Sequence, residues 1–314
     1  MACTGSAGYQ GFLTTCGKVL PFLSADITRV QELYPSNAIH GGGSGNTNPI
    51  FRSMHNYALG RITAEGNVTT EVFGGTGNYA AAFLEILKRA VPTQTDDSDI
   101  CNGFDNSCKL IFSPGGGSEI ILPDPTAGQP KAVVASLGLR GNPGGNVQAT
   151  FRITSTGADF NQTAANTPTV ANLAFEPGGL TDDNNPIPYY ASSFSVTGSG
   201  ESNLAERITD WNIDINNNPF YIWTFNGEAQ AQDLVLGMLS VTGTFQYYSA
   251  TGEFVETLTH GAVCTVTFGS ITLTIPHLGF GASPLPSPGP SAATVRTVNF
   301  TGFATSSGPS IYRS

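Results

Sequence analysis

Residues 207–249, RITDWNIDINNNPFYIWTFNGEAQAQDLVLGMLSVTGTFQYYS, decide the fold class, and they hold both tryptophans, Trp211 and Trp223. Ile208, Asp210, Asn212 and Asp214 alternate with Thr209, Trp211, Ile213 and Ile215, the period of a strand with one apolar and one polar face. Asn216-Asn217-Asn218-Pro219 breaks the run, because Asn tolerates the left-handed backbone of a tight turn and Pro cannot donate to a ladder. Phe220–Phe225 returns as an aromatic, β-branched strand and ends at Asn226-Gly227, a strong hairpin-turn signal. Leu239–Tyr247 alternates again. The stretch therefore predicts two strand pairs, with both tryptophans anchoring them to a core. It contains no catalytic signature.

Charge is the unusual quantity in the composition. Charged residues make up 11% of the 314-residue chain, where roughly 25% is ordinary. A compact monomer of this mass exposes on the order of 12,000 Å², so charges fall about one per 350 Å². Two explanations fit: much of the surface is buried against other subunits, or the protein is an extracellular β protein coated in Thr, Ser and Asn. The net charge of −10 argues against binding phosphate backbones, since no cationic track is present for counterion release. Five scattered cysteines, Cys3, Cys16, Cys101, Cys108 and Cys264, lack C-x-x-C spacing, and they predict reduced thiols in a reducing cytoplasm. Cys101 and Cys108 are the pair able to close a small loop. The N-terminus shows no basic segment followed by an apolar run, so no signal peptide is expected, and no window is apolar enough for a membrane-spanning helix.

Working outward, Lys18–Leu23, Asp26–Leu33, Arg61–Phe73, Lys131–Leu139, Gln148–Thr154, Ser192–Thr197, Cys264–Phe268, Ser270–Ile275 and Thr294–Phe303 read as strands, with shorter fragments at 110–112 and 120–122. Residues 35–50 form a Gly- and Asn-rich loop, and a Pro-rich segment spans 276–290. One helix is expected, at 78–91. Tyr79, Ala82, Phe83, Ile86, Leu87 and Ala90 make an apolar stripe, Asn78 is a suitable N-cap and Pro92 stops the helix. Residues 93–146 lose periodicity apart from the short strands just named, and they read as a long insertion or interaction arm. The fold class is mainly β, a β-sandwich or barrel with one flanking α-helix and long loops, in a single domain spanning 1–314. A faint echo between Gly66–Phe73 and Ser240–Tyr247 hints at internal duplication.

Candidate chemical motifs fail on context. Gly75-Thr-Gly77-Asn-Tyr-Ala80 matches a dinucleotide fingerprint, but the strand before it is polar-alternating and Asp96 does not end a second strand. Gly11–Val19 has one residue too many between its glycines for a phosphate loop, and Val19 stands where a hydroxyl belongs. Asp96, Asp97, Asp99 and Asp105 cluster, yet Cys101 falls where a calcium loop needs oxygen, so a solvated acidic loop is expected. The four histidines are scattered, with neither H-E-x-x-H nor G-x-S-x-G. No catalytic residue, cofactor or metal is expected. Asn67-Val-Thr and Asn299-Phe-Thr are glycosylation sequons that matter only on secretion.

The order of these elements resembles the major tail tube proteins of long-tailed bacteriophages. It is carried by the strand into paired asparagines (Ile208–Asn218), the aromatic return, and the Leu-Gly…Val-Thr-Gly-Thr-Phe strand (Leu236–Phe245). Gly252–Phe254, Ser270–Pro276 and Val298–Phe303 follow in the same order. The N-terminal half adds the Arg61–Glu71 strand and the single amphipathic helix, so the resemblance covers about 18–92 and 190–304. Residues 93–190 have no counterpart. The resemblance implies a virion structural protein, made in the host bacterial cytoplasm. Such proteins form rings, usually hexameric, that stack into a hollow tube conducting DNA from capsid to host. Implied partners are further copies of the chain, the terminator, tape measure and distal tail proteins, and the sheath if the tail contracts. DNA passes without specific binding, and no membrane is involved. A six-fold ring would carry roughly −60 at −10 per chain, so a lumen of that sign would let DNA slide. Asp210, Asp214, Asn217 and Asn218 are the candidate lumen or subunit-interface residues, and Asp96, Asp97, Asp99 and Asp105 mark a candidate ring-stacking loop. Deleting 96–107 is expected to leave a soluble subunit that does not polymerise. The rival expectations are a surface adhesin or carbohydrate-binding module, a capsid decoration protein, and a secreted glycosidase, for which no carboxylate pair stands out.

Overall fold

The structure, a computed structural model, describes residues 12–35, 57–113, 118–124, 130–163, 185–199, 208–224, 229–249, 258, 260–281, 294–306 and 308–314. In chain order the first strands are β1 (Phe12–Thr15), β2 (Lys18–Pro21), β3 (Ser24–Pro35) and β4 (Tyr57–Glu71). Helices α1 (Asn78–Lys88) and α2 (Ser98–Asn102) precede β5 (Leu110–Ser113), β6 (Ser118–Leu122), β7 (Ala132–Gly141), β8 (Gln148–Ser155) and β9 (Asp159–Thr163). The second half holds β10 (Ser192–Thr197), β11 (Ile208–Asn216), β12 (Phe220–Ile222), β13 (Asp233–Val235) and β14 (Ser240–Ser249). It ends with β15 (Ala262–Phe268), β16 (Ile271–Phe280), β17 (Thr294–Gly302) and β18 (Tyr312–Arg313). The mainly-β class is thus as expected.

An eleven-stranded antiparallel sheet dominates, in the order β10-β15-β16-β17-β14-β11-β7-β8-β4-β3 with β18 beside β16. It folds over on itself. Phe194 of β10 stacks on Trp211 of β11 at 5.4 Å and meets Phe245 of β14 at 5.8 Å, although those strands lie far apart in the sheet order. The seam between the halves takes α1, whose Phe83 touches Phe151 of β8 at 5.9 Å and Phe268 of β15 at 6.4 Å. A five-stranded sheet, β2-β1-β5-β6-β9, covers the other side of α1, and Lys18 reaches Glu85 there at 3.3 Å. Packing of this kind makes the amphipathic stripe of α1 a core element between two sheets.

The structure corrects several sequence expectations. Strand β11 does not pair with the aromatic return. It pairs with β14 and β7, while among the described residues β12 pairs only with β13. The Asn turn is the reason. Asn216 Oδ1 accepts from the Asn218 N–H, Asn218 takes φ of 47°, and Asn217 turns inward, so the chain leaves the sheet. The Asn226-Gly227 turn lies outside the described residues. Trp211 is buried as expected, but Trp223 is half-buried, with Arg61 stacked 4.7 Å from its ring.

Helix α1 is capped by Gly77, not Asn78, and closes at Lys88. Its apolar stripe continues through buried Ala90 and Val91 because outside groups satisfy their carbonyls. Asn217 Nδ2 donates to Ala90 O and Arg313 Nε donates to Val91 O. Strand β16 runs through Pro276, where the sequence suggested a stop. The proline sits in a bulge, between the pairs Cys264–Ile275 and Ala262–Leu278, where a missing N–H breaks no ladder bond. The region 93–146 holds α2, β5, β6 and β7, and β7 lies in mid-sheet between β11 and β8. The thiol expectation also fails for one pair. Cys16 is bonded to Cys108, leaving Cys101 and Cys264 free among the described residues.

Candidate functional site

The candidate site is the outer face of the main sheet, and strand alternation builds it. Along β11, Trp211, Ile213 and Ile215 point inward and are buried, which sends Asp210, Asn212, Asp214 and Asn216 outward. The register then sets rows across five or six strands. One row runs Thr69, Thr150, Gly138, Asp214, Thr242, Thr301. The next runs Glu71, Gln148, Arg140, Asn212, Thr244, Asn299. A third runs Asn67, Arg152, Ser136, Asn216, Ser240. These rows are mostly hydroxyls and amides, knit together by bonds such as Thr69 to Thr150 at 3.2 Å and Thr244 Oγ1 to Asn212 Oδ1 at 2.8 Å.

Asp214 occupies the middle of that wall. A Cβ on Gly138 would come within 3.1 Å of its Oδ1, so the bare glycine makes room for the carboxylate to lie along the sheet. Burial pushes the Asp214 carboxyl above its ordinary range. Burial also raises Asp210, and Arg140 partly offsets that shift. Both acids therefore face outward, as the sequence suggested. Asn218 is exposed at the end of the strand, its Nδ2 donating to Met238 O at 2.7 Å. Asn217 is a correction: it is 3% exposed and donates to Ala90 O and Val134 O at 3.2 and 2.9 Å. It ties the end of α1 to β7 and faces no channel.

The acidic loop is more structured than a solvated cluster. Asp96 accepts from the Ser98 N–H and hydroxyl, which holds its carboxyl below the ordinary range. Asp97 is the N-cap residue of α2. Asp99 binds Arg313 at 2.8 Å, and Asp105 accepts from the Ser107 hydroxyl and the N–H groups of Ser107 and Cys108. Asp96, Asp97 and Asn217 come together around a cleft of about 510 Å³, also lined by Pro92, Ile100, Leu239 and Pro309. The loop is not separable from the core. Phe104 is fully buried, Arg89 Nε donates to Gly103 O at 2.7 Å, and Arg89 lies 4.6 Å from the Phe104 ring. Deleting 96–107 would remove those contacts, so the expectation of an intact subunit does not hold.

A further feature was not singled out in the sequence: β3, the outermost strand beside β4. Eleven of its twelve residues pair with β4, with a register shift at Glu32, and among the described residues no second strand pairs with β3. Ala25, Ile27 and Arg29 lie opposite buried Val68, Gly66 and Ala64, yet Ala25 and Arg29 are exposed and Ile27 is half-buried. Val30 and Leu33 are 41% and 59% exposed. The inward phase of β3 is thus only partly covered, with Ile27 packed against the core and Ala25 and Arg29 beyond it, and among the described residues no strand pairs with its far edge. Arg29 and Gln31 in the inward phase of an otherwise apolar alternation were the available signal.

Among the described residues, no three His, Cys, Asp or Glu side chains converge as a metal site, and no helix is long and apolar enough to cross a membrane. Neither a protein-family model nor a curated protein matches the sequence.

Proposed function

We propose that this chain is a structural subunit that self-assembles, edge to edge, into stacked rings forming the hollow tail tube of a long-tailed bacteriophage. In this role it conducts DNA and catalyses nothing. The observation that carries the reading is the edge of β3, a long strand with exposed Val30 and Leu33 that pairs only with β4 among the described residues. A long strand edge left unpaired is an aggregation hazard in a monomer, and natural proteins normally blunt or cover it. A second copy covers it best, because its own sheet can continue the ladder. The sparse charge of the chain agrees, since faces buried between copies carry few charges. The hydroxyl- and amide-coated outer face supplies a wall that a phosphate backbone can pass without binding. Asp210 and Asp214, where they face the lumen, repel it.

Sedimentation velocity tests the reading. The wild-type chain is expected to sediment as rings or larger assemblies. The double variant Val30→Lys, Leu33→Lys is expected to remain a folded monomer, because both residues are exposed and lysines on an edge block pairing. A second reading, a carbohydrate-binding surface module, draws on the half-buried Tyr221 and Trp223, whose ring centroids are 5.8 Å apart. Quenching of tryptophan fluorescence by sugars in a monomeric wild type would favour it.

A further inference from the structure

Strands β1 and β2 form a hairpin closed by the pair Thr15–Lys18, with Cys16 and Gly17 as the two turn residues at φ of 47° and 77°. A two-residue hairpin turn with both residues in the left-handed region calls for Asn or Asp before Gly. Cysteine is a poor occupant of that position, so its presence there is explained by its sulfur and not by the turn. The sulfur is bonded to Cys108, 92 residues further on, with the Cα atoms 4.4 Å apart, within the range a disulfide accepts. Cys108 is itself preset. Asp105 Oδ1 accepts from its N–H at 3.0 Å, and its carbonyl accepts from the Asp105 N–H.

The bond is not what brings these residues together. Strand β1 pairs with β5 from Phe12–Ser113 to Thr15–Leu110, and Leu13, Leu20, Leu110 and Phe112 are buried beneath that ladder. Packing and hydrogen bonds therefore place the two thiols side by side before any bond forms. Cys16 is half-buried at the turn, where a small thiol or disulfide can reach it.

We propose that Cys16 and Cys108 form a redox-controlled fastener, open while the chain folds under reducing conditions and closed on exposure to a small oxidising disulfide such as oxidised glutathione. One thiolate attacks the glutathione disulfide, forming a mixed disulfide and releasing one glutathione. The second thiolate attacks the protein sulfur of that mixed disulfide and releases the other glutathione. Two protein thiols are oxidised by two electrons and one glutathione disulfide is reduced. Closing the bond encloses β2, β3, β4, α1 and α2, so it restricts the unfolded chain over a long loop. The proposal is independent of the tube reading, since it concerns a single chain.

The test uses the full chain, purified with reductant and then incubated with oxidised glutathione. Titratable thiols under denaturing conditions are expected to fall by two and the melting temperature to rise by about 5–10 °C. In a Cys3→Ser, Cys101→Ser background, the non-reducing tryptic map should join the peptides 1–18 and 90–109. Cys16→Asn should melt in reductant at or above the reduced wild type, because Asn suits the turn, and it should not respond to oxidised glutathione. Cys108→Ser should also fold and not respond. Three results would overturn the proposal: no thiol loss in the wild type, a wild type that does not fold in reductant, or both variants failing to fold there.

Discussion

Strands β3 and β11 look alike in sequence, since each alternates apolar and polar residues, yet they do opposite things. The inward residues of β11, Trp211, Ile213 and Ile215, are at most 1% exposed beneath the folded-over sheet. Of those of β3 only Ile27 packs against the core, while Ala25 and Arg29 are exposed, and among the described residues no strand pairs with its outer edge. Alternation specifies a strand with two faces, but what covers each face is a long-range fact. The difference separates a strand that holds the fold from one that is free to extend it.

The largest expected effect breaks the comparison at β11. Trp211→Ala should cost about 3–5 kcal/mol in chemical denaturation, whereas Leu33→Ala should change monomer stability by no more than about 0.5 kcal/mol. Leu33→Ala should instead weaken assembly, read by sedimentation. A comparable loss at both sites would mean that β3 is covered within the chain. Next comes the turn that carries β11 out of the sheet. Asn217→Ala should cost about 1–3 kcal/mol, because the carbonyls of Ala90 and Val134 lose a buried donor. Exposed Asn218→Ala should cost less, despite its positive φ.

How much of this was legible follows from the same contrast. The strands, the helix face and the outward acids Asp210 and Asp214 could be read because period and residue type are local. The partners of β11 could not, because the Asn216–Asn218 turn resembles a hairpin turn and only the inward bonds of Asn217 show that the chain leaves the sheet. The interior position of β7 was hidden by the glycine-rich segments on either side of it. Pairing of Cys16 with Cys108 was illegible at a separation of 92 residues, although a cysteine directly before Gly17 in a hairpin was a signal of unusual turn chemistry. The incomplete covering of the inner face of β3 left one trace, Arg29 and Gln31 in the inward phase.

The smallest expected effects are electrostatic and opposite in sign. The Asp214 carboxyl is raised by burial, so the folded state holds that proton more tightly than the unfolded chain does. Stability from this group is present in acid and is lost as pH rises from the ordinary value of 3.8 through the raised folded value. Asp214→Asn should remove that slope and be slightly more stable than wild type at pH 7. Asp105, lowered by the Ser107 hydroxyl and neighbouring N–H groups, contributes stability above 3.8 that is lost as pH falls through its folded value. Asp105→Asn should be less stable than wild type at pH 7 and converge with it in acid. Denaturation midpoints from pH 2 to 7 check both signs. In an assembled tube, Asp214→Lys should slow DNA ejection, and unchanged ejection kinetics would remove Asp214 from the lumen.

The most direct measurement is negative-stain electron microscopy of the purified full-length chain at increasing concentration. Edge-to-edge assembly through β3 predicts rings and hollow tubes, which vanish in the Val30→Lys, Leu33→Lys variant. A field of single-chain particles at every concentration would contradict it, as would tubes that persist unchanged with both lysines on the edge.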